Sequence, residues 1–382
     1  MLLDDDDLPV PQACEWFLSR RHLEINTLMR NANEVIVIHK WAKRRRFNIY
    51  DRIRSGKQFT EADLKGLIEE LSRPQPNSNK VGKLAVSPDT RNKRISTGLK
   101  HILWYIDELT VLPDTAVELA DRLSAMRAKI VKVFQDSYQK PEGNRKYHKH
   151  LTLEQARFVQ DALDPDGTIK FGADERGRVR NFIMVCLLLF LGLRIGELLS
   201  LRIQDVKFGP ITYIMIKRRG MSNLDTRKRP ARVKRLERLL PLDNARLAIL
   251  LDNYMLEDRE WCLKHGGASD SGFLFLSDEG APLSSDRVQH LFRDIRKRFP
   301  KDLPAHLTPH SMRYTFTNAV NAELHSQGLN EQLIEKYLAW LRGDSSVKSQ
   351  DTYIDFGAQT KEAVARYQTR FASGRSSSDV PF

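Results

Sequence analysis

Between Arg180 and Arg194 the chain carries its longest apolar stretch, the twelve residues from Phe182 to Leu193. A membrane span needs about 20 apolar residues. The run is too short for that and is expected to form a helix buried on all sides. Such a helix needs a core large enough to cover it. At 382 residues the chain is long enough for about two or three domains. Its composition, 41% hydrophobic and 29% charged with 16 prolines and 20 glycines, is that of an ordinary globular protein. Collagenous, low-complexity and largely disordered architectures are excluded. The start, Met1-Leu2-Leu3 followed by four aspartates, is the opposite of a basic secretory signal. No membrane association is expected.

Charge is the unusual quantity. Lys plus Arg number 62 and Asp plus Glu 49, a formal net charge of +13. That excess favours a polyanionic partner, most commonly nucleic acid, although charge alone leaves open a basic protein with no such partner. The three cysteines, Cys14, Cys186 and Cys262, form no Cys-x-x-Cys pair and no disulfide framework. They fit a reducing, cytoplasmic compartment, and Cys186, inside the apolar run, is expected in the core.

Hydrophobic periodicity near 3.6 predicts helices over Thr60–Leu71, Thr90–Leu109 and about Thr115–Gln135. Thr60 offers a cap with acids in the first turn. The segment 31–138 reads as a helical, basic domain with a cluster at Lys43-Arg44-Arg45-Arg46, preceded by an extension at 1–30. Residues 139–150 turn polar and read as a linker. A second domain, 151–372, contains the buried run, β-like segments at Ile211–Ile216 and Arg238–Leu242 around a basic hairpin, and a short strand-like Phe273–Leu276. Residues 373–382 read as a disordered tail. The expected class is mainly α with a small antiparallel β-sheet in the second domain.

Three segments carry chemistry. In Leu193-Arg194-Ile195-Gly196-Glu197-Leu198 an arginine and a glutamate stand three apart in apolar surroundings, where charges need partners. The bland reading is an ion pair at a helix end. In Thr308-Pro309-His310-Ser311-Met312-Arg313, Thr308 suits an N-cap and Pro309 the first helical position. His310 and Arg313 then share the first turn, a good place for an anion. Read alone, that motif is also a surface pair with no ligand. The third segment is Asp351-Thr352-Tyr353-Ile354-Asp355, whose tyrosine means nothing by itself.

In this order the segments resemble the tyrosine recombinase (phage integrase) family over about Leu151 to Gln368. Leu193-Arg194-Ile195-x-Glu197-Leu198, with Leu201-x-x-x-Asp205-Val206 behind it, is similar to that family's first-arginine box. His310-x-x-Arg313 is similar to its His-x-x-Arg box, and Tyr353 falls where the nucleophile belongs. The resemblance implies a site-specific DNA recombinase or integrase that works through a 3′-phosphotyrosyl intermediate, in DNA integration, excision or transposition. It implies catalytic roles for Tyr353, Arg194, Arg313 and His310, with Glu197 and Asp344 as transition-state support or structural residues. A hairpin lysine would be the general acid. The Arg-x-x-Pro-Leu ending at Arg238 to Leu242 favours Lys234 over Lys228, with Lys217 third. Arg44, Arg45, Arg46, Arg227, Lys228 and Arg229 are expected to contact DNA phosphates. No cofactor and no metal is expected. The resemblance further implies a two-domain clamp on double-stranded DNA and a homotetramer on two sites. Accessory DNA-bending proteins and a nucleoid location in a bacterial cytoplasm fit it.

Some features depart from the family. The position nine before Tyr353 is usually His or Trp, and here it is Asp344, whose ionised carboxylate donates no hydrogen bond and repels a phosphate. Either the local alignment is shifted, or another donor such as Trp340 substitutes, or activity is reduced. The interval from Arg313 to Tyr353 is also long, which keeps Tyr367 and, more remotely, Tyr337 as competing nucleophiles. Ala363, Val364, Tyr367 and Phe371 suggest a terminal amphipathic helix, packed on its own domain or docked on a neighbouring protomer. The alternatives from other classes are a recombinase-derived DNA-binding protein with a decayed site, and a monomeric relaxing enzyme of the type IB topoisomerase kind.

Overall fold

The computed structural model describes residues 2–4, 7–74, 86–113, 115–140, 150–169, 174–220, 222–233, 236–344 and 358–371. Internal contacts divide the chain into two units, Met1–Arg145 and Lys146–Phe382. The expected linker at 139–150 and tail at 373–382 fall largely outside the described residues.

The first unit is helical: α1 (Pro11–Ser19), α2 (Ile25–Arg44), α3 (Ile49–Arg54), α4 (Glu61–Ser72), α5 (Pro88–Thr110) and α6 (Val117–Asp136). Helix α4 starts where the sequence asks it to. The Thr60 hydroxyl accepts from the Asp63 amide, and the Asp63 carboxylate accepts from the Thr60 amide, each at 3.0 Å. One core runs through α2 to α6, with Ile38, Trp41, Leu64, Ile102, Met126 and Phe134 all buried. Helix α1 adds a smaller cluster in which Trp16 packs with Ala13 and Val35. Three polar rings cross this interior. Tyr50 Oη lies 3.1 Å from His39 Nε2 and 2.9 Å from His101 Nε2, tying α3 to α2 and α5.

The second unit surrounds the apolar run. It comprises α7 (Leu153–Leu163), α8 (Glu175–Leu191), α9 (Ile195–Leu198), β1 (Val206–Lys207), β2 (Thr212–Ile216), β3 (Arg238–Leu242), α10 (Ala245–Asn253), α11 (Arg259–Gly266), α12 (Ser285–Arg298), α13 (Pro309–Ser326), α14 (Glu331–Arg342) and α15 (Ala358–Thr369). A single π turn, Tyr254–Asp258, joins α10 to α11. As its composition requires, α8 is buried on every side, with α7, α13, α15 and β3 packed around it. Among the described residues the sheet is antiparallel in the order β1-β2-β3, and Thr212 pairs with Leu242 and Ile216 with Arg238. Pro241 is tolerated because β3 is an edge strand.

One strand expectation differs from the structure, and one strand, the two-residue β1, was not foreseen because it is too short to show an alternating pattern. Phe273–Leu276 makes only isolated bridges, Arg202 with Phe273 and Leu276 with Pro282. That apolar run is bent between the chain after α9 and its own return at Pro282, so it forms no extended pairing. No helix among the described residues is long and apolar enough to cross a membrane.

Candidate active site

The site is assembled where five elements of the second unit meet, α8, α9, β3, α13 and α14. Helix α8 ends at Gly192, which adopts φ +59°. A Cβ there would lie 2.3 Å from the Phe316 ring, so both conformation and space require glycine. The turn carries the chain to Arg194, the residue that precedes α9. Arg194 is fixed by Glu197 one turn on: its amide donates to Oε2 at 3.0 Å and its Nη1 to Oε1 at 2.9 Å.

Arg313 arrives from the first turn of α13. Thr308 caps that helix by accepting from the Ser311 amide, and Pro309 occupies the first position. The Arg313 guanidinium is buried. Its Nη1 donates to the Gly192 carbonyl and its Nη2 to the Arg342 carbonyl, each at 2.7 Å. The Arg342 carbonyl also accepts from Arg194 Nη1 at 2.8 Å. Two guanidinium groups from distant parts of the sequence therefore share one acceptor at the C-terminus of α14, where aligned peptide dipoles favour positive charge.

Asp344 completes the group. Gly343, at φ +61°, ends α14, with its amide donating to Trp340 and the Asp344 amide donating to Ala339, each at 2.7 Å. That double hydrogen bond is a Schellman motif, and it fixes where Asp344 begins. The Asp344 Oδ1 accepts from Arg194 Nη2 at 2.5 Å and lies 3.8 Å from Arg313, while Oδ2 lies 2.9 Å from Arg342 Nε. The carboxylate that stands where the family usually has His or Trp is thus paired with the two candidate phosphate-binding arginines, because the Schellman turn aims it at them.

Behind the arginines, Glu197 and Arg238 form a closed pair at 1% and 0% side-chain exposure. Arg238 Nη2 donates to Glu197 Oε2 at 2.8 Å and Nη1 to Oε1 at 3.2 Å. Burial acts to raise the Glu197 carboxyl, but the Arg238 guanidinium, with Arg194 and Arg313, outweighs it and holds the group below its usual range. Burial first, then the neighbouring Arg194 charge, pushes Arg313 down to about 10. It is still a cation at neutral pH. Four guanidinium groups thus face two carboxylates, leaving an excess of positive charge where Arg194 and Asp344 reach the surface.

Arg194, Arg313, Glu197 and Asp344 are therefore brought together. His310 is exposed on the first turn of α13, its ring 4.4 Å from Tyr314. Tyr353 and Lys234 lie outside the described residues. The competing tyrosines are core residues: Tyr337 is buried, and Tyr367 is buried with its hydroxyl donating to the Leu189 carbonyl at 3.1 Å. Helix α15 packs on α13 and β3 of its own unit, and Gln368 Nε2 bonds the carbonyls of Phe190 and Pro241.

The basic loop between β2 and β3 divides. Lys217, Lys228 and Arg229 are exposed. Arg227, expected to meet DNA, is instead buried: it chelates Asp225 and donates to the Leu199 carbonyl at 2.9 Å, which spends its charge inside the fold. Arg219 is likewise held by Asp205 at 2.8 Å. In the first unit Arg44, Arg45 and Arg46 are exposed, with Arg44 paired to Glu70 and Arg45 to Asp63. Arg238 and Arg342 are site residues that the sequence reading missed. A charge in a strand of buried leucines was the available signal for Arg238, since such a charge needs a partner. Among the described residues no cluster of three or more His, Cys, Asp or Glu side chains is placed to hold a metal ion.

Residues 169–354 match the family model described as phage integrase family. A tyrosine recombinase of Pseudothermotoga lettingae is 26% identical over 206 residues, 54% of this chain and 59% of that protein. An integrase of a Staphylococcus phage is 25% identical over 178 residues, 44% of this chain and 47% of that protein. The chain thus spans about half the length of these curated relatives. The solved integrase of transposon Tn1549, in complex with transposon right end DNA, is similar at TM-score 0.49 and 18% identity, over 87% of this chain and 90% of that one.

Proposed function

We propose that the chain, whose residues 169–354 match the phage integrase family model, is a site-specific DNA recombinase acting through a 3′-phosphotyrosyl intermediate. The observation that carries the reading is the convergence of Arg194 and Arg313 on one carbonyl and one carboxylate, with positive charge left over. That is a cradle of fork-shaped donors matched to the two non-bridging oxygens of a phosphodiester.

In this reading the Tyr353 phenolic oxygen attacks the scissile phosphorus. The phenolic proton passes to water, the P–O3′ link is kept and the P–O5′ bond breaks, with the leaving oxygen taking a proton from a hairpin lysine, Lys234 before Lys228. A phenol has an ordinary pKa of about 10 and is a poor nucleophile at neutral pH, so the phosphorus must be made electrophilic. Arg194 and Arg313 do this by neutralising charge that builds on the equatorial oxygens, and His310 adds a donor at the rim. A 5′-hydroxyl of a second strand reverses the step. The phosphotyrosyl bond conserves the energy of the phosphodiester, so no ATP is consumed. Double-stranded DNA as substrate, a tetramer on two sites and a role in a mobile element belong to the same proposal.

The test is a nicked suicide substrate carrying the recombination site. The wild-type chain is expected to form a covalent adduct that Tyr353→Phe abolishes with duplex affinity retained. An adduct that survives the substitution overturns the assignment of the nucleophile.

A further inference from the structure

We infer that Arg238, on β3, is the positioning residue that sets the two phosphate-facing arginines in register. The inference deepens the reading above and rests on it. Arg238 faces the interior of the second unit with its side chain fully buried, and it reaches two separate supports of the site. Toward α9 its Nη1 and Nη2 clasp both oxygens of Glu197, the residue that fixes the amide and guanidinium of Arg194. Toward α14 its Nε donates to the Leu341 carbonyl at 2.9 Å. The next carbonyl along, that of Arg342, is the acceptor shared by Arg194 and Arg313.

A guanidinium is planar and its donors are set at fixed angles. With both ends engaged, Arg238 sets the distance between the glutamate under Arg194 and the helix end under both arginines. The backbone makes room for it. A Cβ on Gly343 would lie 2.5 Å from Arg238 Nη1, so the glycine that ends α14 is also the gap into which this guanidinium fits. Because β3 closes the basic hairpin, Arg238 further links the strand after the candidate lysines to the turn that presents Asp344. Nothing in this geometry has Arg238 touch a substrate. It acts through Arg194, Arg313 and the α14 turn.

A buried charge that only neutralised Glu197 would make a different prediction, and a set of four variants separates the two. Arg238→Lys keeps the charge but cannot clasp Glu197 through two donors and still reach Leu341. Arg238→Met leaves Glu197 without its principal counter-ion and risks the fold. Glu197→Gln with Arg238→Met replaces the ion pair by a neutral pair, and Glu197→Gln alone is its reference. Four quantities are read on the full chain: thermal midpoint, affinity for inorganic phosphate by calorimetry, duplex affinity, and the single-turnover rate of adduct formation.

Displacing a reacting group by about 1 Å costs on the order of 100-fold in rate. Arg238→Lys is therefore expected to lose about 100-fold in adduct rate with unchanged duplex affinity, and to bind phosphate at least about tenfold more weakly. The double variant is expected to regain the thermal midpoint of Glu197→Gln but not its rate. A double variant with the full rate of Glu197→Gln shows that Arg238 only balances charge, and overturns the inference. So does phosphate affinity unchanged in Arg238→Lys. A wild-type chain that forms no adduct overturns the recombinase reading instead, and the phosphate arm still decides whether Arg238 sets the cradle.

Discussion

A carboxylate held between two arginines can compete with a phosphate or orient the donors for it, and Asp344 is placed to do either. Competition is favoured by its geometry. Its Oδ1 takes the outermost donor of Arg194, the arginine that reaches solvent, whereas Arg313 keeps both of its short bonds to main-chain carbonyls without it. A phosphodiester oxygen entering the cradle must therefore displace Asp344 from Arg194. Asp344→Asn retains the shape, removes the negative charge, and is expected to raise phosphate affinity and the adduct rate by about three- to tenfold, the scale of one ordinary hydrogen bond. A large loss of rate in single-turnover cleavage would give the carboxylate an orienting task instead. The sequence signalled that position 344 is unusual and no more. Spacing showed where the acid falls relative to Tyr353, but its direction depends on the left-handed Gly343 and the capping bonds of α14, which are set by three-dimensional packing. Arg238 escaped for a related reason: its partners, Glu197 and Leu341, lie far from it in the chain.

At the scale of elements, the helices were legible because each carries its own signal. Thr60, Thr308 and Pro309 start α4 and α13 where side-chain chemistry requires, and the apolar run is a helix whose burial follows from having no polar face. The short β1 and the bent Phe273–Leu276 were not legible, since both are defined by distant chain laid against them. The end of α8 shows what the local signals are worth. Gly192→Ala keeps the apolar composition but forces a Cβ onto the Phe316 ring at positive φ. It is expected to cost more than about 1 kcal/mol of stability and to displace the carbonyl that holds Arg313. A denaturation midpoint equal to wild type would disprove this account of the turn. The first unit has its own test. Burial pushes His39 down to about 4 and His101 to about 3 from an ordinary 6.5, so in the folded state both stay neutral in mild acid. The unfolded chain takes up protons first, and stability present above about pH 6.5 is lost progressively as pH falls toward those lower values. The melting temperature of the first-unit transition should therefore drop between pH 7 and pH 5, and less steeply in His39→Asn. Parallel slopes in the two proteins would count against the assignment.

For the whole molecule, the excess of 13 positive charges is informative only once it is divided into charges spent within the fold and charges left for a partner. Arg227 and Arg229 stand two apart in the same basic loop and fall on opposite sides of that division. Arg227 is buried on Asp225 and the Leu199 carbonyl, while Arg229 is exposed. Net charge sums over both and cannot tell them apart, which is why the sequence reading placed both on DNA. Each phosphate neutralised by a protein cation releases counter-ions and adds about 0.9 to the slope of log affinity against log salt. Arg229→Gln is expected to lower that slope by about one on duplex DNA and to leave the thermal midpoint unchanged. Arg227→Gln is expected to do the reverse, keeping the slope and lowering the midpoint, because it leaves Asp225 buried without its counter-charge. Measuring affinity across a salt series for both variants decides the matter. A slope that falls equally in both would mean that Arg227 leaves its buried pair to meet the nucleic acid, and the division between spent and available charge would have to be redrawn around a loop that rearranges on binding.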